Sequence, residues 1–223
     1  MALFWGHCMV CRQRIKVLFA GSLLLLAALP LHADDPDGPL QERTRFLAAK
    51  KALAQGDSLR FIKLASELKD YPLYPYLVYW HLLEKLGTQP PFTIRAFLRN
   101  HADTPLADRL RTAWLQYLAK HQRWKEYLDF YQGNRSAELR CHFHTAQLAT
   151  DKQADAWEGA KQLWLVGDSQ DKACDDLFAA WEKAGYLTSA LRWRRIELAM
   201  ARGNTDLAGY LAQELPKKER QLV

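Results

Sequence analysis

The chain has 223 residues, and its 31 Lys+Arg against 25 Asp+Glu give a formal net charge of +6. This length suits one compact domain or one stretch of a repeat array. After residue 33 there are only three valines and three isoleucines. Strands favour β-branched residues, whereas the abundant Leu, Ala, Glu, Lys and Gln favour helices. The composition therefore argues against a β-sheet protein and predicts an all-α fold.

The first segment of the chain is typical of a secretory signal peptide. A basic group formed by Arg12, Arg14 and Lys16 precedes an apolar run at residues 17–31. The small residue Ala33 closes this run, as a signal-peptidase site requires. We expect residues 1–33 to be removed on export and residues 34–223 to form the folded chain. A membrane anchor is the alternative, but fifteen apolar residues fall short of the about 20 that span a bilayer. Met9 as well as Met1 could be the true start.

Export changes both the charge and the cysteine count. Without residues 1–33 the chain keeps 28 Lys+Arg against 25 Asp+Glu, a net charge of +3, so nucleic acid is not an expected partner. Cys8 and Cys11 have CxxC spacing but lie in the removed segment, where a metal or redox role is not expected. Cys141 and Cys174 remain, and an even pair in an oxidising compartment favours a disulfide. Two buried free thiols are the alternative.

Glycines punctuate the rest of the chain. Six of them follow a helical pattern, as glycines at the C′ position of helices do: Gly56, Gly87, Gly133, Gly167, Gly185 and Gly203. The gaps between the last three are both 18 residues, so a helix pair takes about 36 residues, the length of a repeat in α-solenoids. The predicted helices lie near 40–55, 58–68, 75–86, 92–100, 105–120, 123–131, 136–149, 153–166, 171–184 and 187–202, with another from 204. We predict an all-α, right-handed superhelix of stacked helix pairs with degenerate repeats.

Apolar residues recur at helical spacing within these segments. One face of the helix near 105–120 carries an apolar stripe, preceded by the capping pair Thr104 and Pro105; the stripe is Leu106, Leu110, Trp114, Tyr117 and Leu118. Trp157, Ala160 and Trp164 form a second stripe, so we expect Trp164 to lie buried between helices. The aromatic cluster at 71–80 could pack in the core or stack on sugar rings, and core packing is favoured.

The polar residues do not form a recognisable catalytic or metal-binding pattern. His142 and His144 are two positions apart, so on a helix their side chains point about 200° apart and cannot share a metal. Asp175 and Asp176 occupy the first turn of a predicted helix, where negative charge offsets the helix dipole. The sequence contains no Gly-rich phosphate loop, HExxH or GxSxG motif. We therefore predict no catalytic, cofactor-binding or metal-binding residues in this chain.

Three segments carry a resemblance to a known family. They are residues 156–178, AWEGAKQLWLVGDSQDKACDDLF, residues 69–77, KDYPLYPYL, and residues 195–205, RIELAMARGNT. Together they resemble the amino-terminal superhelical domain of the soluble lytic murein transglycosylases. Cys141 and Cys174 also fall where members of the enterobacterial type carry a cysteine pair.

The resemblance implies a role in peptidoglycan cleavage. The family breaks the β-1,4 bond between N-acetylmuramic acid and N-acetylglucosamine to give 1,6-anhydro products, using one glutamic acid and no cofactor. That glutamic acid lies in a lysozyme-like domain introduced by a Glu-Ser motif, and this sequence has no Glu-Ser pair. The resemblance therefore implies a periplasmic scaffold that contacts glycan strands and stops before the catalytic domain. A non-catalytic module that binds peptidoglycan or a cell-wall protein is the alternative, and an independent enzyme is the least favoured.

Overall fold

Helices account for all the regular structure in the part of the chain that the computed structural model describes, residues 38–133 and 135–220. This confirms the predicted all-α class. The predicted signal peptide, residues 1–33, lies outside the described residues. The helices are α1 (Gly38–Ala54), α2 (Ser58–Ser66), α3 (Tyr74–Glu84), α4 (Pro91–Asn100), α5 (Pro105–Lys120), α6 (Trp124–Phe130), α7 (Ala137–Leu148), α8 (Gln153–Trp164), α9 (Asp175–Lys183), α10 (Ser189–Ala201) and α11 (Thr205–Gln213), with short 3-10 helices at Leu86–Thr88 and Lys172–Cys174. None of the described helices has the length and apolar character needed to cross a membrane.

Capping residues explain where several helices begin. Four helices start after a side chain that accepts a hydrogen bond from the backbone N–H three residues on; these residues are Asp57, Ser136, Thr188 and Asn204. Four other helices carry proline in their first two positions, where its missing N–H costs no hydrogen bond; these prolines are Pro39, Pro75, Pro91 and Pro105. The predicted boundaries therefore agree closely with the structure.

The prediction that six glycines end helices is correct only in part. Gly56 has a φ of 71°, donates its N–H to Leu53 O, and is followed by the bond from Asp57 N–H to Ala52 O. This is a Schellman ending, and the same pattern recurs at Gly185 and Gly203. The prediction was wrong for three of the six, Gly87, Gly133 and Gly167. Gly87 lies inside a 3-10 helix, Gly133 lies two residues beyond the extended C-cap Tyr131, and Gly167 has no positive φ. At the ends of α5 and α7 the left-handed positions are instead held by Gln122 and Asp151, with φ of 53° and 61°.

The helices pack as a stack of neighbours. Each helix from α4 to α8 packs on the next one, and helices two apart also stack in the series α3, α5, α7 and α9. Contacts restricted to neighbours are the mark of a solenoid, so the prediction of stacked helices is confirmed. Within the described residues this series stops at α9, because an open cleft separates α9 from α11 while α11 packs on α10.

The core follows the predicted stripes. Trp114 is fully buried, and Trp164 is 8% exposed, as expected. Tyr127, also fully buried, donates its hydroxyl to Leu139 O at 2.7 Å and so ties α6 to α7; burial raises the pKa of this phenol. The aromatic cluster at 71–80 packs mainly against the core formed by α1, α2 and α3, although the Tyr76 side chain is exposed.

Candidate functional site

A cleft of about 720 Å³ lies between α9 and α11. Two buried arginines of α10, Arg192 and Arg195, lie beneath it, and the end of α8 with the following loop closes one side. The two flanking helices supply its walls, with Phe178 from α9 and Tyr210 from α11. Clefts of this size, with apolar walls and a few converging polar groups, are the usual form of small-ligand sites.

The loop after α8 packs closely against α10 and forms one side of the cleft. Gly167 approaches α10 so closely that a Cβ added to it would lie 2.3 Å from Leu198 O. Arg195 Nη2 donates to Asp168 O at 3.3 Å, and Arg202 Nη1 donates to Asp168 Oδ2 at 2.5 Å. Gly167 is therefore required by close packing of the loop on a neighbouring backbone.

Arg195 is the central residue at the base of the cleft. It is only 4% exposed, and its guanidinium carbon lies 4.1 Å from the centroid of the Trp164 ring. The cation is attracted to the face of the indole. Burial lowers the pKa of Arg195 to about 10, so the side chain still carries its charge at neutral pH.

Three buried polar atoms of cleft-lining residues have no hydrogen-bond partner. They are the donors Trp164 Nε1 and Arg195 Nε and the acceptor Gln170 Oε1. An unsatisfied buried group costs about 1–3 kcal/mol, so such groups need an explanation wherever they occur together. By contrast, Arg192 is partnered, because it forms an ion pair with Glu182.

Acidic side chains surround the mouth of the cleft. Asp175, Asp206 and Glu214 line it and are exposed, and Tyr210 beside them is 62% exposed. With Glu182 included, the lining contains four carboxylates and two guanidinium groups. The cleft therefore has a negative charge excess at its opening and buried cations beneath it.

The predicted disulfide is present. Cys141 of α7 is bonded to Cys174, whose Cα lies 5.0 Å away, and both residues are fully buried. Cys174 ends the 3-10 helix that leads directly into α9. The bond therefore fixes the start of the helix that forms one wall of the cleft.

The two histidines singled out in the sequence point to different neighbours. The His142 ring lies 6.3 Å from the Trp124 ring, whereas His144 Nδ1 is 2.7 Å from Gln147 Oε1. Burial lowers the pKa of both histidines. Among the described residues, no three His, Cys, Asp or Glu side chains are grouped as a metal site requires.

Sequence reasoning missed the arginines beneath the cleft and assigned Asp175 only to the helix dipole. Asp175 does lie in the first turn of α9, as predicted, but it also lines the cleft. A signal for the arginines was present, because the buried positions of α10 have the i, i+3, i+4, i+7 spacing of a helix face; they are Arg192, Arg195, Ile196 and Ala199. Two arginines within an inward-facing stripe indicate a buried charged site.

Comparison with curated proteins finds relatives along nearly the whole chain. No protein-family model matches it. The soluble lytic murein transglycosylase of Escherichia coli K12 is 35% identical over 202 residues, which cover 90% of this chain and 31% of the relative. The soluble lytic murein transglycosylase of Salmonella typhimurium is 34% identical over 207 residues, covering 92% and 32%. The chain thus spans about a third of the length of the curated relatives it matches.

Solved structures agree with these relatives. The 70 kDa soluble lytic transglycosylase of Escherichia coli matches with a TM-score of 0.75 and 34% identity, over 83% of this chain and 30% of that one. The same enzyme in complex with bulgecin A matches equally well. An inactive mutant of the lytic transglycosylase Slt of Pseudomonas aeruginosa matches with a TM-score of 0.71 and 38% identity, over 78% and 28%. The chain is therefore homologous to one helical segment of the soluble lytic murein transglycosylases.

Proposed function

We propose that this chain is a scaffold segment of a periplasmic peptidoglycan lytic transglycosylase, and that it binds peptidoglycan without cleaving it. The observation that carries this proposal is homology along nine-tenths of the chain to a segment that makes up only about a third of its relatives. In such an enzyme the helical stack would hold peptidoglycan while another domain supplies the catalytic glutamic acid. The cleavage of bonds between N-acetylmuramic acid and N-acetylglucosamine belongs to that domain.

The carboxylates of the cleft support a binding role. A general acid for glycoside cleavage has to be protonated near neutral pH, which proteins achieve by enclosing it in an apolar pocket. The glutamates of the cleft, Glu182 and Glu214, are exposed, and Glu182 is paired with Arg192. Neither is placed as such an acid would be.

A periplasmic location is part of the proposal. The pattern of residues 1–33 supports export, and the bond between Cys141 and Cys174 fits an oxidising compartment. The cleft between α9 and α11 favours one second candidate, a non-catalytic module that binds peptidoglycan or a cell-wall partner independently of any enzyme.

Co-sedimentation with purified peptidoglycan sacculi tests the proposal. The exported, disulfide-bonded chain should pellet with sacculi in an amount that rises with the sacculi added and saturates. Cellulose particles of equal mass are the control, because they offer a β-1,4 glycan without peptides or acetamido groups. Equal recovery with both polymers, or no recovery with either, would contradict the proposal.

A further inference from the structure

We infer that the outward faces of α1 and α2 bind reversibly to an anionic phospholipid bilayer. These faces, called the α1–α2 surface below, carry Leu40, Arg43, Leu47 and Lys51 of α1 together with Leu59 and Lys63 of α2. The contact is separate from peptidoglycan binding and does not involve the cleft.

The helix α1 has leucines on the side that faces away from the core. Its inner side is buried through Phe46, Ala49 and Ala52. Leu40 and Leu47 lie seven residues apart on the other side, two turns along the same face, and are 62% and 54% exposed. Large apolar side chains that recur at helical spacing on a solvent-facing side indicate a contact surface rather than scattered surface residues.

The helix α2 repeats this arrangement. Phe61 is buried in the core that α1, α2 and α3 share, whereas Leu59 is 85% exposed and Ile62 is 58% exposed. An ion pair of 3.6 Å between Arg45 and Glu67 joins α1 to α2. Two neighbouring helices therefore expose aliphatic side chains on their outward faces.

The same two helices hold a large share of the positive charge. Residues 38–69 include seven Lys+Arg and three Asp+Glu, whereas the chain from residue 70 onward has 21 Lys+Arg and 19 Asp+Glu. Arg43 and Lys51 stand four residues before and after Leu47, and so on the same face of α1, and both are exposed. Each basic side chain held close to an anionic bilayer adds to the attraction.

This combination of side chains fits a bilayer better than a protein partner. Basic residues beside exposed leucines are typical of helices that lie on a membrane interface, where the apolar side chains enter the boundary between headgroups and acyl chains. Protein interfaces instead depend on aromatic and arginine anchors held in pockets, with leucine under-represented. The large exposed apolar residues of α1 and α2 are all Leu or Ile. A second copy of the chain would oppose Arg43 and Lys51 with like charges.

Vesicle co-sedimentation tests the inference with residues 34–223 in the disulfide-bonded form. This form contains every described helix and lacks the apolar run at residues 17–31, which would bind bilayers by itself. The chain should pellet with vesicles of equal parts phosphatidylglycerol and phosphatidylethanolamine in about 0.1 M salt. Binding to phosphatidylcholine vesicles should be at least about tenfold weaker, and about 0.5 M salt should weaken binding to the anionic vesicles.

Charge variants test which cations are used. Arg43→Gln combined with Lys51→Gln should weaken binding to the anionic vesicles by about tenfold. The matched control is Lys161→Gln combined with Lys183→Gln, which makes the same change in net charge with exposed lysines of α8 and α9. The control should bind as the unmodified chain does.

A second pair of variants tests the leucines. Leu47→Gln should weaken binding to the anionic vesicles by at least about fivefold, because a leucine side chain no longer leaves water. Met200→Gln is the matched control, since Met200 of α10 is 53% exposed, nearly as much as Leu47, and it should bind as the unmodified chain does. Circular dichroism should give both variants the melting temperature of the unmodified chain, because both positions are exposed.

Several results would overturn the inference. They are equal binding to anionic and neutral vesicles, no binding up to about 5 mM lipid, and an equal loss of binding in the α1 variants and their controls. Purified sacculi contain no phospholipid, so the α1 variants should pellet with sacculi as the unmodified chain does. A loss of that binding would assign the surface to peptidoglycan, and self-association that Leu47→Gln abolishes in sedimentation equilibrium would assign it to a second copy.

Discussion

Gly167 is the residue whose replacement should most clearly disturb the fold near the cleft. Its Cα faces the Leu198 carbonyl, and an added Cβ would lie 2.3 Å from that oxygen. Since the obstacle is backbone, the loop or α10 has to move, and overpacking of this kind costs about 1–3 kcal/mol. Gly167→Ala should lower the free energy of unfolding by that amount in urea denaturation.

Gly209→Ala is the matched control for this change. Gly209 lies inside α11, and nothing stands within 4 Å of a Cβ added there. Alanine in a helix interior is favoured over glycine by about 1 kcal/mol, so this variant should be more stable than the unmodified chain. A Gly167→Ala chain as stable as the Gly209→Ala chain would contradict the close approach of the loop to α10.

Three partly buried histidines should make stability depend on pH. Burial is the main reason that the pKa values of His81, His142 and His144 are lowered. The histidines of the unfolded chain take up protons below their pKa of about 6.5, whereas those of the folded chain take them up only at lower pH. The contribution of these histidines to the free energy of unfolding is therefore fully present above pH of about 6.5 and is lost as the pH falls. Ring-proton titrations by nuclear magnetic resonance should give folded midpoints below those measured in urea. Midpoints at or above the unfolded values would contradict this.

At the scale of helices, Gln122 follows the end of α5 and has the left-handed backbone conformation that glycine adopts most easily. Its φ is 53°, and the flanking bonds from Gln122 N–H to Ala119 O and from Arg123 N–H to Leu118 O form a Schellman ending. Since a side chain is strained in this conformation, Gln122→Gly should raise the free energy of unfolding by about 0.5–1 kcal/mol. Gln213→Gly, at a right-handed position in α11, should not stabilise the chain. Urea midpoints measure both, and equal effects would refute the assignment.

The helix boundaries could be predicted because they are set locally. Capping side chains and prolines act within one turn, so the helix with Pro105 at its first position matches the structure to the residue. The expected cap by Thr104 is absent, because its hydroxyl donates to His101 O instead. The sequence predicts that α9 starts at 171, but Asp171 caps a 3-10 helix and the α-helix begins only at Asp175. The prediction that Gly167 ends a helix is wrong because the role of this glycine depends on α10, about 30 residues further along the chain.

At the scale of the molecule, the cleft could not be predicted because it depends on spacing between distant helices. It exists because α9 and α11 do not close on each other as α7 and α9 do, and no local pattern encodes that separation. Its individual groups were partly visible in the sequence. Arg195 occupies a buried stripe of α10, but its pairing with Trp164 of α8 appears only once the helices are stacked.

The disulfide should contribute substantially to the stability of the described helices. Cys141 and Cys174 are 33 residues apart, and closing a loop of this size stabilises a protein by about 3–4 kcal/mol in the chain-entropy model. Cys141→Ala combined with Cys174→Ala should lower the free energy of unfolding by up to that amount. The unmodified chain measured with a reductant is the control and should lose a similar amount. Equal urea midpoints for the oxidised and reduced chains would show that the bond contributes nothing.

Release of soluble fragments from purified sacculi tests most directly whether this chain is a scaffold or a catalyst. The purified, disulfide-bonded chain is incubated with sacculi, and the supernatant is analysed for 1,6-anhydro muropeptides, with a full-length soluble lytic murein transglycosylase as the positive control. We predict that the chain stays with the pellet and releases no more anhydro product than buffer does. Reproducible anhydro product that persists after removal of contaminating host enzymes would contradict a scaffold role.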